Sequence, residues 1–390
     1  MTVAAASSAV ARRRVIHVSP RVTSRGGIET LHNYHRTLSG ENRFVALFDR
    51  GTIQQPGDVS LEVSWRTPLW LMRRRFARAM AVCPSALVCY HNGWGMPLLH
   101  DLDRSVRRLV MLHAEPAYHA ADMPSFHGLV DGYLLASPKG EAAVSEAVSG
   151  WDAQRTVTLK LPLEPIAAPP RLEFSRDRPL VLGYAGRVER VQKRIDLLPA
   201  FLREIEAAGV CVRFEITGAG TWLYRLKEQV GSNVVFHGWL DGSDYRRVVG
   251  SWDAAVYFSE HEAGPIALLE AMSAGVIPFY PRVGGSWADE YSPRVDELCH
   301  YPPGDMNALA SAVRAVFRSK GERVATLRER AISLVEGHRI ETYKDTVSDF
   351  FSQISSLPRV SCQRARHPRL TDCLPLGLIT RILPYALRRS

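Results

Sequence analysis

The stretch AAVYFSEHEAGPIALLEAMSAG, residues 254–275, decides the fold of this chain. It opens on a short apolar run, 254–258, of the kind a parallel strand buried on both faces requires. Gly264 and Pro265 then mark a turn and a helix start. The apolar run 267–274 supplies the helix. A strand, a turn and a helix in that order form most of a βαβ unit with a right-handed crossover. Glu262 falls in the loop and Glu270 about one turn inside the helix. The backbone N–H groups over 264–267 lie between these carboxylates, at the positive end of the helix dipole. That position suits a diphosphate, and each carboxylate can accept two hydroxyl groups. By itself, a pair of glutamates eight apart is no more than an amphipathic helix surface needs. Its placement between strand and helix gives it meaning.

The same alternation extends outward on both sides. After 179 the strands are read at 180–184, 212–217, 234–237, 254–258 and 276–280, with amphipathic helices at 196–208, 222–230, 243–251 and 267–274. Before 160 the apolar runs are VIHVS at 15–19, then 44–48, 60–64, ALVCY at 86–90, RLVML at 108–112 and YLLA at 133–136, with a helix at 29–38. Between the two series, LPLEPIAAPPRLEFSRDRP at 161–179 carries five prolines, which disfavour both helix and central strand. The expected fold is therefore α/β: two Rossmann-like, doubly wound parallel-sheet domains facing across a cleft. The expected boundaries are a disordered leader over 1–13, an acceptor-binding domain over 14–162, a linker over 163–179, a nucleotide-binding domain over 180–337, a C-terminal helix over 338–357 and a basic, apolar-rich tail over 358–390.

The chain has 390 residues, a hydrophobic content of 46% and a formal net charge of +9. A basic balance favours anionic partners. The arginines cluster at 12–14, 73–75 and along 359–389, and they read either as solvated faces or as a surface for an anionic membrane. Nucleic acid is not expected, because no zinc-ligand spacing or RNP-like aromatic stretch accompanies them. The apolar tail segment 374–387 either packs on the body or enters a membrane interface. Six cysteines, at 83, 89, 211, 299, 362 and 373, form no CxxC and sit mostly in apolar runs, as expected in a reducing compartment. The first residues do not read as a secretory signal, and no uncharged apolar run is long enough to span a bilayer. The expected location is the cytoplasm, with the inner face of the cell membrane as a peripheral surface.

Further residues carry chemistry. GRVERVQK at 186–193 follows the strand at 180–184, and in open α/β sheets ligands bind just beyond the carboxyl ends of strands. Arg187 and Lys193 there would face a diphosphate and stabilise charge as a phosphate leaves. As a loop charge, Lys193 is expected to contribute little to folding. In SRGGIE at 24–29, Gly26 and Gly27 allow close backbone approach to a ligand, although the dinucleotide fingerprint is not met. His113 ends a strand and could hydrogen-bond a hydroxyl group, with His91 competing for that role. Asp101-Leu-Asp103 resembles a metal-binding D-x-D but lies in a polar stretch and reads as solvated surface. No metal-ligand cluster stands out.

Together these residues resemble the retaining GT-B glycosyltransferases of the family numbered four, the glycosyl transferases group 1. The GG after the first strand, GR-x5-K, TGAG at 217–220, FHGWL at 236–240 and E-x7-E followed by AMSAG stand in that family's order. The resemblance is strong from 180 to 285 and weak before 113. It implies that Arg187 and Lys193 bind the donor diphosphate, and that Glu270 holds the ribose. It further implies that Glu262 touches the donor sugar, and that the backbone of Gly264, Pro265 and Ile266 meets phosphate or sugar. His113 would contact the sugar near the reaction centre, Gly26 and Gly27 would line the diphosphate from the other domain, and Leu240 would sit beside the nucleobase. It implies no cofactor and no metal, the nucleotide sugar being the donor substrate, with retention of anomeric configuration. The helix at 339–355 would cross back onto the first domain. The chain departs from the pattern at Ala263 and at Arg194, where the family commonly has glycine.

The expected activity is transfer of a hexose from a nucleotide-diphosphate sugar to a glycan or lipid-linked acceptor, in bacterial cell-surface polysaccharide synthesis. A nucleotide-sugar epimerase would need acid/base carboxylates and a different loop pattern. A non-catalytic scaffold would tolerate losing Glu262, Glu270, Arg187 and Lys193, yet all four are present.

Overall fold

In the computed structural model the described residues are 13–22, 27–48, 55–82, 87–91, 93–113, 127–167, 178–262, 264–319, 321–360, 373–376 and 378. The leader expected before 13, Gly26, much of the proline-rich linker and most of the tail lie outside them. In chain order the strands and α-helices begin β1 (Arg14–Ser19), α1 (Gly27–Arg36), β2 (Glu41–Ala46), β3 (Val59–Ser60), α2 (Leu69–Val82), β4 (Leu87–His91), β5 (Arg107–Leu112), β6 (Gly132–Leu135), α3 (Gly140–Ala147) and β7 (Thr156–Thr158). They continue with β8 (Leu180–Ala185), α4 (Leu198–Ala207), β9 (Val212–Thr217), α5 (Leu223–Gln229), β10 (Val234–Gly238), α6 (Gly242–Gly250), β11 (Ala254–Val256), α7 (Ile266–Ser273) and β12 (Ile277–Pro281). The last are α8 (Trp287–Val295), β13 (His300–Tyr301), α9 (Met306–Arg318), α10 (Gly321–Val335) and α11 (Ile340–Ser356). The chain divides into two compact units, one of residues 1–159 with 341–390, the other of 160–340.

The first unit is built on a seven-stranded sheet in the order β3-β2-β1-β4-β5-β6-β7, parallel throughout. The order reverses between β1 and β4, which is the switch point of a doubly wound sheet. Strands β4, β5 and β6 are buried along their whole length, as uninterrupted apolar runs in a parallel sheet must be. Helix α2 shows why its segment is helical. Leu69, Met72, Phe76 and Ala79 recur at helical spacing and are buried, joining the main core of the unit, while Arg73 to Arg75 fall off that face. Two of those arginines are not simply solvated. Arg73 pairs with Asp101, and Arg75 donates to the carbonyls of Leu61 and Glu62. Asp101 thus belongs to a shielded ion pair and not to the solvated surface expected of it.

Two distant segments complete this unit. Helix α11 places Tyr343, Val347, Phe350, Phe351 and Ile354 in its core, and Arg13, Arg107 and Arg155 donate to carbonyls at Ser348, Ser355, Leu357 and Pro358. In the tail, Pro375 bridges Pro68, and Leu376 donates to the Thr67 carbonyl at 2.9 Å. Leu376 is 1% exposed and sits in the main core. The start of the apolar tail segment therefore packs on the body; residues 379–387 of it lie outside the described residues.

The second unit carries a six-stranded parallel sheet, β10-β9-β8-β11-β12-β13, with its reversal between β8 and β11. Buried Asp253, just before β11, accepts both guanidinium nitrogens of Arg178 at 2.7 Å, Arg328 at 3.0 Å and the Val181 amide at 3.0 Å. It ties the start of the domain to the sheet and to α10. The loops after β8, β9 and β10 are joined by backbone bonds: Gly186 to Thr217, Val188 to Ala219 and Gly218 to Gly238. Gly218 has φ +136°, and a Cβ there would lie 1.9 Å from the Gly186 carbonyl oxygen. The glycines of TGAG therefore have a packing role, since only glycine allows these loops to touch.

Candidate active site

The second unit gathers its charged loop residues at the reversal of its sheet. Beyond β8, Tyr184 Oη donates to the Arg187 carbonyl at 2.8 Å, which ties down the loop's first turn. Seven residues after Arg187 the chain turns at Arg194, whose φ is +47° and ψ +35°. This is the left-handed conformation, which a side chain adopts only at a cost. The position where the resembling family has glycine is thus one where the backbone favours glycine. The turn brings Lys193 back toward the loop after β11.

There Lys193 Nζ donates to Glu262 Oε1. The two side chains are 13% and 7% exposed, so the pair is shielded from water. Glu262 also accepts Ser259 Oγ at 3.0 Å. Gln192 links the loops a second time: its Nε2 donates to the His261 carbonyl at 3.1 Å, and its own carbonyl accepts the Glu260 amide at 2.9 Å. The Gln192 Oε1 accepts Arg187 Nη2. Arg187 is 59% exposed and also meets Glu189 at 2.9 Å. Arg187, Lys193 and Glu262 therefore form one connected cluster, with Arg187 its open cation. Lys193 is not the freely solvated loop charge that its position alone suggested. Its burial against Glu262 makes it part of the fold.

Helix α7 begins at Ile266, with Pro265 as its N-cap residue. Pro265 has no N–H, and the Ile266 amide is bonded to the Gly264 carbonyl at 2.9 Å. Two of the positions expected to present free amides across 264–267 thus present none. Gly264 is closely packed: a Cβ there would meet Leu161 Cδ1 at 2.1 Å, so that side chain would have to move. Ala263 lies outside the described residues.

Glu270, on α7, accepts Tyr245 Oη of α6 at 2.8 Å. Burial holds its carboxyl up at about 7, partly offset by the tyrosine bond. Both Glu262 and Glu270 reinforce the burial that pushes the Tyr257 hydroxyl well above its usual range, so this tyrosine stands near both carboxylates. Tyr257 itself donates to the Ala185 carbonyl at 2.7 Å. Leu240 follows β10 and is half-buried, beside an exposed Trp239. Gln192, Ser259 and Tyr245 were not singled out in the sequence. They are neutral residues whose place in the cluster exists only once the loops have folded together.

The remaining expected residues belong to the first unit. His113 follows β5, is half-buried, and its Nε2 lies 2.9 Å from His91 Nδ1. His91 is 1% exposed, so of the two only His113 can reach a ligand from outside. Gly27 opens α1, and Gly26 lies outside the described residues. A further group was invisible in the sequence: His17, His35 and His91 come together in the interior. Among the described residues no helix is long and apolar enough to cross a membrane.

Residues 179–319 match the family model described as glycosyl transferases group 1. No curated protein matches the sequence. Solved structures match nearly the whole chain. Sucrose-phosphate synthase from Thermosynechococcus elongatus aligns with a TM-score of 0.69 at 17% identity, over 88% of this chain and 100% of that one. Anabaena HepE in complex with UDP aligns with a TM-score of 0.65 at 14% identity, over 87% and 99%. The lipopolysaccharide outer core galactosyltransferase WaaB in its apo form aligns with a TM-score of 0.64 at 16% identity, over 88% and 100%. At these identities the solved structures establish the fold, which is GT-B. Residues 179–319 are thus similar to the glycosyl transferases group 1, and with the GT-B fold over the whole chain the protein is a glycosyltransferase.

Proposed function

We propose that the chain transfers a hexose from a nucleotide-diphosphate sugar to a glycan or lipid-linked acceptor, with retention of anomeric configuration, as in family four. The observation that carries this reading is the cluster of Arg187, Gln192, Lys193 and Glu262 at the carboxyl edge of the second unit's sheet. An exposed guanidinium offers forked donors to a diphosphate, and its charge stabilises that group as it leaves. Lys193 supplies a second positive charge, held in place by Glu262. Glu270, whose carboxyl is half ionised near neutrality, is the acceptor for the ribose hydroxyls. Leu240 lies beside the nucleobase, and Glu262 with the backbone of 264–266 meets the sugar.

Two features support the donor class. The HepE neighbour is a complex with UDP, and the donor half is the part matched by the family model. In this reading the donor is the only small molecule required, and no metal or cofactor takes part in transfer. The acceptor belongs to bacterial cell-surface polysaccharide synthesis, and the basic patches draw the enzyme to an anionic membrane on the cytoplasmic side. The test is a thermal-shift screen of UDP, GDP and ADP sugars, followed by transfer from the stabilising donor to membrane extracts, with NMR of the new linkage. Stabilisation by one donor and an anomer matching it support the reading. Absence of any stabilisation, or loss of nothing on Arg187→Ala, sinks it.

A further inference from the structure

The first unit holds a histidine group that sugar transfer does not use. His17 on β1, His35 on α1 and His91 at the end of β4 are each 0–1% exposed. One ring nitrogen from each lies within 4.8 Å of the others. His17 Nδ1 and His91 Nε2 are 3.0 Å apart. Two nitrogens sharing one tetrahedral ion at about 2.0–2.1 Å stand about 3.3 Å apart, so little movement separates this pair from ligation. The third ring is the informative one. His35 Nδ1 is buried and has no hydrogen-bond partner among the described residues. Leaving it unpaired costs about 1–3 kcal/mol.

The outward nitrogens are all supported. Asn42 Nδ2 donates to the Leu38 carbonyl at 3.0 Å, which turns Asn42 Oδ1 toward His17 Nε2 at 3.3 Å. That nitrogen therefore carries the ring proton, and His17 Nδ1 presents its lone pair inward. His35 Nε2 lies 2.7 Å from Tyr343 Oη, and His91 Nδ1 lies 2.9 Å from His113 Nε2. His17 and His91 can thus each donate outward while the nitrogens facing one another share the space between the rings, and in His35 Nδ1 is the nitrogen left over once Nε2 meets Tyr343. Orientation of each ligand by a partner on its far nitrogen is what a histidine metal site needs. Without an ion, the His91 Nε2 proton can bridge to His17 Nδ1, but neither tautomer of His35 satisfies its Nδ1.

We propose that His17, His35 and His91 bind one divalent transition-metal ion of the zinc class, through His17 Nδ1, His35 Nδ1 and His91 Nε2. Neutral imidazole suits such ions and not magnesium or calcium, which demand oxygen ligands. The ion would clamp α1 to β1 and β4, and through the His91 Nδ1 proton it would orient His113. Its role is structural and positional, in a different unit from the donor cluster.

The test uses the full chain without a histidine tag, stripped by chelator, then given Co(II) or Zn(II) and passed through gel filtration. One retained equivalent, a visible Co(II) spectrum of nitrogen ligation and a Zn(II)-dependent rise in Tm are expected. His35→Phe keeps the ring volume and should abolish retention. Should that variant fail to fold, Tyr343→Phe keeps all three rings and should weaken Zn(II) binding by about 10–100-fold. Retention below one tenth of an equivalent by the unmodified chain overturns the proposal. So does an unchanged affinity in Tyr343→Phe or in a folded His35→Phe.

Discussion

Lys193 and Glu262 neutralise one another inside the second unit, and Ser259 Oγ holds the carboxylate from a further direction at 3.0 Å. This pair joins the loop after β8 to the loop after β11, so a lysine expected at the diphosphate is also a structural tie.

Lys193→Ala therefore has an effect on folding as well as on binding. It leaves a carboxylate that is 7% exposed without its cation, and breaking a buried pair costs about 3 kcal/mol or more. Urea unfolding should show that loss as a lowered midpoint. Lys193→Met with Glu262→Gln should recover most of it, while donor binding stays lost. An unaltered midpoint in Lys193→Ala would contradict the tie.

Arg187→Ala should behave differently. This side chain is 59% exposed, so its ion pair adds little to stability, about 0.5 kcal/mol or less. A charge-assisted bond to a diphosphate contributes about 1.5–3 kcal/mol, so donor Kd should rise about 10- to 100-fold with Tm unchanged. Calorimetric titration decides this, and equal affinity in both proteins would remove Arg187 from the donor site.

Glu270 predicts a pH signature. Its carboxyl is raised to about 7 in the folded protein, chiefly by burial. The folded state thus holds a proton that the unfolded state releases near 4.5, and stability falls as pH rises from about 4.5 to 7. A shift of that size corresponds to about 3 kcal/mol. Glu270→Gln should flatten the stability profile in this window and raise Tm above pH 7. The same variant should weaken donor binding most at high pH, where the native carboxylate is ionised. A pH profile of Tm identical to that of the unmodified chain would refute the assignment.

The tail anchor can be tested at Leu376, which is 1% exposed and lies in the first unit's core. Leu376→Ala should cost about 2–5 kcal/mol. A change below 0.5 kcal/mol in chemical unfolding would show that the segment merely rests on the surface.

Much of the architecture was legible because parallel strands leave continuous apolar runs. The run at 108–112 became β5, and that at 212–217 became β9 over the same residues. What escaped was short. β7 spans Thr156–Thr158, all half-buried, and β13 only His300–Tyr301, too few residues to show a period. At 60–64 the opposite happened: Leu61 and Val63 are buried, yet Glu62 has φ +49°, so the ladder stops at Ser60. In the site, Arg187, Lys193 and Glu262 announced themselves by charge and position. Gln192 and Tyr245 could not, because a neutral side chain gains its role from what folds against it. The three histidines stand up to 74 positions apart, and only the pairing of β1 with β4 and the packing of α1 bring them together.

The first unit is interrupted in sequence: 160–340 form a separate compact body, and 341–390 return to the first. A ribosome emitting this protein releases strands β1–β7 long before α11, so the earlier sheet must wait with its α11-facing residues uncovered, among them His35 and Arg107. Nascent chains arrested before residue 340 should consequently protect the later-made body from protease while the earlier-made one is still cut, and expressing 1–159 by itself should yield a chaperone client.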